Sequence, residues 1–342
     1  MNDQRLLNAP LPIVAAPMAG GPTTPELVTA VTEAGGFGFL AGGYRTPDAL
    51  AADIARVRGR TDRFGVNLFA PGASNFDRQA FHRYVEELQT EADAHDIELD
   101  PEPVVDDDHW DDKLRLLIEQ PVPVVSLTFA LPDPATITAL RRAGSRVLAT
   151  VTTPEEAREA QTAGVDGLIV QGPSAGGHSA TFDPARPLDE VSTGSLVRDV
   201  RSVVTLPLIA AGGVDGPVAV RELLDAGAEA VAVGTLLLRT DEAGTSATHR
   251  SALADPAFTE TVITRAFTGR PARALRNGFT DRHTDSAINA YPAVHHLTRE
   301  LRQAAGRRGD TERLHLWAGT GYRNAPTGRA ADVIGWLSDT HG

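Results

Sequence analysis

Short apolar runs alternate along this chain with segments that carry helix-start signals. Eight such runs are rich in Val, Ile, Leu and Ala and lack alternating polar residues, the pattern of strands buried on both faces of a parallel sheet. The predicted strands are Ile13–Ala16, Gly36–Leu40, Phe64–Phe69, Val122–Phe129, Arg146–Val151, Gly167–Val170, Leu206–Ala211 and Ala230–Val233. Eight strand–helix units in one chain predict an α/β fold, a (β/α)8 TIM barrel.

Four of the intervening segments begin with a cap residue or turn followed by proline, and several carry acidic residues in the first turn. The helices predicted in this way are Leu27–Ala34, Ala49–Arg58, Ala157–Ala163 and Val218–Ala226. Glycines at positions 35, 164 and 227 are expected to end three of them in a left-handed conformation. The alternative fold, an open sheet with an added domain, is disfavoured because the chain lacks a G-x-G-x-x-G turn after the first strand.

Two stretches depart from the repeat and predict a division into a barrel, residues 1–254, and a C-terminal helical extension, residues 255–342. An insertion after the third strand, residues 70–112, contains a predicted helix, Asp77–Ala94, and an acidic segment, residues 106–112. Insertions at the carboxyl ends of barrel strands cover the active site, so this one is predicted to form a lid. Consecutive aspartates lack the spacing of a calcium loop, and we predict no metal site. The extension is expected to pack over the barrel mouth.

The amino-acid composition argues against several classes of binding partner and excludes several classes of chemical site. The chain carries 45 acidic and 32 basic residues, a formal net charge of -13, which argues against nucleic acid or an anionic membrane as a partner. It has no cysteine, so disulfides, a thiolate nucleophile and cysteine-ligated metals are excluded. The N-terminal twenty residues lack the pattern of a secretory signal, and the apolar runs are shorter than a membrane helix. A cytoplasmic enzyme is expected; its oligomeric state stays open.

The stretch that follows the sixth predicted strand suggests catalytic chemistry. Gly176 and Gly177 lack a Cβ, so the backbone there can lie flat against a planar ligand. His178 would then lie beside that ligand, with an ordinary pKa near ~6.5 that suits proton transfer at neutral pH. The alternative interpretation is a glycine-rich turn with a solvated histidine.

Glycines also follow the last two predicted strands, where barrels commonly bind phosphate. Gly212-Gly213 and Gly234-Thr235 offer backbone N–H groups and a hydroxyl to an anion, although both could be simple tight turns. Together with the flat glycines near Gln171, they predict a ligand with a phosphate end and a planar end. FMN has this form, and Asn67 and Gln171 would supply amide partners for its ring.

These motifs together resemble the nitronate monooxygenase family, which is 2-nitropropane dioxygenase-like. The resemblance rests on Pro12–Gly20, Gly35–Phe39, Phe64–Phe69, Gln171–His178, Ala210–Val214 and Gly234-Thr235. The tail looks like the bacterial class I branch in Tyr291-Pro292, Leu297-Thr298, Leu301-Arg302 and Leu316–Gly319. The resemblance implies an FMN-dependent barrel that oxidises alkyl nitronates, such as propionate 3-nitronate, or nitroalkanes with dioxygen to carbonyl compounds and nitrite.

Site residues follow from the resemblance and from the motifs. The positions that match flavin contacts of the family are Asn67, Gln171, Gly176, Gly213, Gly234 and Thr235, and His178 matches its active-site histidine. The predicted cofactor site further includes Ala16, Pro17, Met18, Gly177 and Gly212. Tyr291 is a candidate substrate contact from the tail, with simple packing as the alternative. The chain departs from the family pattern at Ser174, Ser179-Ala180 and Ala232.

Two other functions stay open. A flavin- and NAD(P)H-dependent enoyl-carrier-protein reductase shares this barrel and a similar Ala-Gly-Gly-His stretch, but an acidic carrier protein favours a basic surface. A non-catalytic flavin-binding barrel is the second alternative, because fold does not determine function. Arg276 and Arg323 are candidate contacts for a substrate anion, whereas the adjacent His295 and His296 are not expected to bind a metal together.

Overall fold

The computed structural model describes residues 6–72 and 75–339. Residues 1–5, 73–74 and 340–342 lie outside this description, and with them the start of the N-terminal segment, part of the predicted insertion and the end of the predicted extension. No helix within the described ranges is both long and apolar enough to span a bilayer. The cytoplasmic location stays a prediction.

A closed barrel of eight parallel strands forms the centre of the fold, which confirms the predicted α/β barrel. Its strands are β1 (Ile13–Ala15), β2 (Phe37–Ala41), β3 (Phe64–Phe69), β4 (Val124–Thr128), β5 (Arg146–Val151), β6 (Gly167–Gln171), β8 (Leu208–Ala211) and β9 (Ala230–Val233). A two-residue strand outside the barrel, β7 (Gly177–His178), lies between β6 and β8 in sequence. Each barrel strand overlaps its predicted run, and β1 pairs with β9 to close the ring.

The non-alternating apolar pattern of the strands follows from two separate cores. Alternate strand residues such as Val14, Phe39 and Ile169 form a cluster with Leu6 and Leu7 that contains no helix residue, so it fills the barrel interior. The residues between them belong to a second cluster that includes the inner faces of the surrounding helices. Both faces of the strands therefore pack mainly against apolar side chains, and buried polar exceptions such as Asn67 and Ser126 are few.

The described chain contains the following α-helices: α1 (Pro25–Glu33), α2 (Pro47–Arg58), α3 (Arg78–Asp93), α4 (Trp110–Glu119), α5 (Pro134–Ala143), α6 (Pro154–Ala163), α7 (Thr193–Val203), α8 (Pro217–Asp225), α9 (Ala247–Ala252), α10 (Gly278–His283), α11 (Ala293–Leu297), α12 (Arg299–Arg308) and α13 (Ala330–Ser338). Thr24 caps α1 by accepting a hydrogen bond from Leu27 N at 3.0 Å. Gly35, Gly164 and Gly227 have φ of 97°, 90° and 109°, so the predicted left-handed helix ends are confirmed.

The insertion and the tail share a core of their own. Phe81 and Leu88 on α3 belong to the same buried cluster as Phe267, Phe279 and Val294 of the tail. The Tyr84 hydroxyl on α3 donates to Ala266 O at 2.7 Å across this contact. The insertion is therefore held by the tail; its role as a lid stays a prediction.

The tail contains strands that the sequence analysis does not predict. β10 (Thr261–Thr264) and β11 (Ala272–Leu275) form an antiparallel pair, and β11 pairs in turn with β7. Ala272 lies opposite His178, and Arg273 lies opposite Gly177. Each of these strands is four residues or shorter. Their pairing depends on partners far away in sequence, so local periodicity cannot reveal them.

The last helix, α13, packs against α1, α8 and β1. It therefore occupies the gap between the first and the last strand–helix unit of the ring, where the eighth barrel helix belongs. Val333, Ile334 and Leu337 of α13 are part of the outer barrel core. The predicted boundary between barrel and extension at residue 254 stays a prediction, with α13 beyond it in sequence.

Candidate active site

A cavity of about 570 Å³ lies at the carboxyl ends of the barrel strands. His178 and all the residues predicted to bind the cofactor line it: Ala16, Pro17, Met18, Asn67, Gln171, Gly176, Gly177, Gly212, Gly213, Gly234 and Thr235. Its volume lies within the range of small-molecule and cofactor sites. The barrel thus brings together segments that are far apart in sequence, while the role of each residue stays a prediction.

The glycine turns after β8 and β9 line the cavity and can present polar groups to it. Gly212 and Gly213 have φ of 110° and 78°, a backbone conformation that favours glycine. The Thr235 hydroxyl accepts a hydrogen bond from Gly319 N at 2.9 Å, so its own hydrogen is available to a ligand. An anionic group such as a phosphate suits this arrangement of donors.

Two side-chain amides also line the cavity, and their hydrogen bonds differ. Asn67 donates through Nδ2 to Ser126 Oγ at 3.0 Å and Thr128 Oγ1 at 2.9 Å, and its oxygen has no partner within the described residues. Gln171 instead bonds to the backbone of the segment that follows it. Its Nε2 donates to His178 O at 3.1 Å, and its side-chain oxygen accepts from Ala180 N at 2.8 Å. Asn67 can therefore accept from a ligand, whereas Gln171 retains one free N–H.

Gly176 is where the glycine-rich loop touches the tail. A Cβ at this position would lie 2.5 Å from Gly319 N and 2.6 Å from the carbonyl carbon of Ala318. Both atoms belong to backbone, which cannot turn aside as a flexible side chain can. Gly177, next to it, has φ of 74°, and a Cβ there would meet no atom within 4 Å in the described part of the chain. The first glycine is therefore required for space and the second for conformation.

These neighbouring glycines provide a matched test. Gly176→Ala is expected to destabilise the protein by about 1–3 kcal/mol, the usual range for overpacking, and to move the tail away from the cavity. Gly177→Ala is expected to cost about 1–2 kcal/mol from its left-handed backbone alone. Urea unfolding gives the stabilities, and proteolysis of the native protein reports the tail. Equal resistance of the Gly176→Ala variant and the parent to proteolysis would contradict the proposed contact.

His178 is half-buried and its ring lies among aromatic side chains, which argues against the solvated-turn alternative. The ring centroid is 5.5 Å from that of Trp317 and 5.8 Å from those of Phe129 and Tyr291. Nε2 is hydrogen bonded to Thr268 Oγ1 at 2.9 Å.

Burial, reinforced by the charges of Arg270 and Arg302, lowers the pKa of His178 to about 3. The ordinary value used in the sequence analysis is therefore too high, and the imidazole is neutral at physiological pH.

Tyr291 lies beside this cavity rather than in its wall. It lines an adjacent cavity of about 540 Å³. Its hydroxyl lies 3.2 Å from that of Tyr44, which does line the main cavity. Tyr44 is not among the site residues predicted from the sequence, although its position after Gly42-Gly43 at the carboxyl end of β2 is a usable signal. Tyr291 therefore contacts two residues of the cavity wall, Tyr44 and His178.

The arginines chosen from the sequence are not in the cavity wall. Arg276 pairs at the surface with Glu260 at 2.8 Å and Asp281 at 2.6 Å, and Arg323 donates to Thr259 O at 2.9 Å. Their proposed contact with a substrate anion is therefore unsupported. The buried arginines near His178 are Arg302, which lines the main cavity, and Arg270, which lines the adjacent one.

The adjacent histidines in α11 have separate surroundings. His295 stacks on Tyr44 with ring centroids 4.1 Å apart, while His296 contacts Asp106 at 3.0 Å. Of the positions that depart from the family pattern, Ser174 and Ala232 line the cavity, and Ser179 N donates to Pro271 O at 2.8 Å. These departures therefore lie at or beside the site.

Comparison with known proteins gives consistent results. The sequence profile described as nitronate monooxygenase matches residues 5–338. A Staphylococcus saprophyticus protein described as a "probable nitronate monooxygenase" is 36% identical over 329 residues, which cover 93% of this chain and 91% of that protein. The solved nitroalkane oxidase of Streptomyces ansochromogenes is 46% identical with a TM-score of 0.91, covering 96% of this chain and 95% of that one. FabK of Thermotoga maritima is 27% identical with a TM-score of 0.74, covering 97% and 92%.

Proposed function

The chain belongs to the nitronate monooxygenase family, and we propose that it uses non-covalently bound FMN and dioxygen to oxidise alkyl nitronates to carbonyl compounds and nitrite. Propionate 3-nitronate is one such nitronate, and neutral nitroalkanes are slower substrates in this proposal. The observation that carries it is the shared cavity: the glycine turns that suit a phosphate and the histidine that suits a nitronate line the same space.

The residues present fit FMN at both ends. The consecutive glycines 212–213 and the free hydroxyl hydrogen of Thr235 suit its phosphate. The Asn67 oxygen, which no described residue engages, and the remaining N–H of Gln171 suit the donor and acceptor edge of its ring. The sequence contains a single candidate phosphate site and no second nucleotide-binding fingerprint, which favours FMN over FAD. When bound, FMN supplies the electron acceptor for the nitronate.

The side chains of the protein bind and orient the substrate, and one of them accepts its proton. The Thr268 hydroxyl lies 3.4 Å from Arg270 O, to which it can donate, and it can then accept the Nε2 hydrogen of His178. This tautomer leaves the Nδ1 lone pair of His178 free to accept a proton. A base with a pKa of about 3 removes a proton weakly, so an already ionised nitronate is the better substrate.

Oxygen uptake by the purified protein tests this function. We expect uptake with nitrite release when a nitronate is added without any nicotinamide. Heating should release a yellow compound that chromatographs as FMN. The controls are boiled protein and free FMN at the same concentration.

Other outcomes would favour the alternatives. Rapid NADH- or NADPH-dependent reduction of an enoyl thioester, without nitronate oxidation, would favour the reductase. A yellow protein that does neither would favour a flavin-binding barrel. Recovery of FAD, or of no flavin, would contradict the cofactor assignment.

A further inference from the structure

Arg302 is a buried cation without a carboxylate partner among the described residues. Its side chain lines the main cavity, and only 6% of the residue is exposed. None of the ion pairs within the described residues includes it. Burial lowers the pKa of Arg302 to about 10, so it is still charged at neutral pH. An uncompensated buried charge is unfavourable, and an anionic ligand would relieve it.

The hydrogen bonds of Arg302 hold one side of its guanidinium and leave the other free. Nε donates to Thr298 Oγ1 at 2.9 Å, and Nη2 donates to His295 O at 2.8 Å. Nη2 also lies 3.2 Å from His295 Nδ1. Nη1 donates to no group in residues 6–72 or 75–339. The guanidinium is thus anchored by protein acceptors while two N–H bonds are available to a ligand.

The surroundings of this guanidinium are also short of negative charge. Arg270, only 5% exposed, donates to the carbonyls of Ser179 and Thr181 and likewise takes part in no ion pair within the described ranges. Asp108, a carboxylate near Tyr44, is already engaged by Lys113 Nζ at 2.7 Å and by Tyr44 N at 2.9 Å. Glu156 and Asp183 act on Arg270, yet the charges that act on His178 itself are those of Arg270 and Arg302, both positive.

We propose that Arg302 binds a charged oxygen of the nitronate through Nη1 and so makes the cavity select the anion over the neutral nitroalkane; this rests on the proposed function. A nitronate is planar and spreads its charge over two oxygens. A guanidinium with one edge anchored and N–H groups free matches such an acceptor through a charge-assisted hydrogen bond. A neutral nitroalkane offers oxygens of similar geometry but no net charge, and gains less from the contact.

Nitrate is a suitable probe because it is a planar anion with the oxygens on nitrogen. Calorimetric titration of the holoenzyme with sodium nitrate should give saturable binding. Arg302→Gln is expected to weaken it by about tenfold or more, the effect of losing one charge-assisted hydrogen bond. Arg302→Lys keeps the charge and should lose less. Arg299→Gln, at an exposed position of the same helix, removes an equal charge and should leave nitrate affinity unchanged.

Kinetics separate this role from a structural one. Arg302→Gln should raise KM for a nitronate by about tenfold while changing KM for the matching nitroalkane much less. Thermal unfolding of the Gln and Lys variants checks that the protein stays folded when the hydrogen bonds from Arg302 to Thr298 and His295 are changed. Nitrate binding that is absent in the parent, unchanged in Arg302→Gln, or weakened equally by Arg299→Gln would overturn the inference. Arg302-dependent nitrate binding in a protein that does not oxidise nitronates would refute the proposed function and leave the anion site standing.

Discussion

Replacing Gly213 by leucine is expected to give a folded protein that retains no flavin and therefore no oxidase activity. Gly213 lines the cavity at its proposed phosphate end with φ of 78°, and a Cβ there would lie 3.1 Å from the Cβ of Ser174. A leucine side chain would have to extend into the space proposed for the phosphate. Absorbance of the purified variant, with and without added FMN, measures the loss.

Backbone strain is the competing explanation, and a matched variant controls for it. Gly227→Leu places leucine at φ of 109° at the end of α8, with only the side chain of Arg201 nearby among the described residues. Both variants should lose about 1–2 kcal/mol from the left-handed conformation, but only the change at Gly213 should release flavin. A stoichiometrically yellow Gly213→Leu protein would mean that the phosphate binds elsewhere.

His178→Asn is expected to lower nitroalkane oxidation by about 10²-fold, the low end of the range for a positioned general base, because a base with a pKa of about 3 removes a proton weakly. Asparagine keeps a polar side chain but cannot accept the proton. Nitronate oxidation should fall much less, because that substrate has already lost the proton. Steady-state oxygen uptake with a nitroalkane and its nitronate measures both effects. His82→Asn, at an exposed position on α3, is the control.

The pH dependence gives a second measure of His178. A base acts when unprotonated, and burial with the charges of Arg270 and Arg302 holds its pKa at about 3. The nitroalkane rate should therefore stay flat as the pH falls from about 8 to about 5, whereas an ordinary histidine would lose half its rate near ~6.5. Parallel losses on both substrates in His178→Asn would mean that His178 orients the substrate and does not remove its proton.

Much of the barrel could be predicted because its signals are local. The predicted run Phe64–Phe69 coincides with β3. Thr24 caps the start of α1, and Gly35 takes the left-handed conformation after its end, as predicted. The tail could not be predicted in the same way. β10 and β11 form a sheet with β7, which is distant from them in sequence. α13 completes the ring of barrel helices, although most of the tail separates it in sequence from β9.

The candidate site likewise contains residues that the sequence could identify and residues that it could not. The glycines and His178 follow predicted strands, and the carboxyl ends of barrel strands share one face, so the predicted fold was enough to bring them together. Arg276 and Arg302 look alike in a sequence, yet one is ion-paired at the surface and the other is buried in the cavity wall, where no described carboxylate pairs with it. Burial and the choice of partner are properties of the folded surroundings, which composition cannot supply.

The sequence by itself thus determined the barrel, the positions of its glycine turns and the prediction of His178 as the active-site histidine. It could do so because strand periodicity, helix capping and the conformational freedom of glycine act within a few residues. Only the tertiary structure decided what those groups face. It paired Gly177–His178 with β11 of the tail, pressed Gly176 against the backbone at Gly319, and brought two buried arginines near the histidine. Contacts of this kind join distant segments, and they set the pKa of His178 and the charge of the cavity through burial and distance.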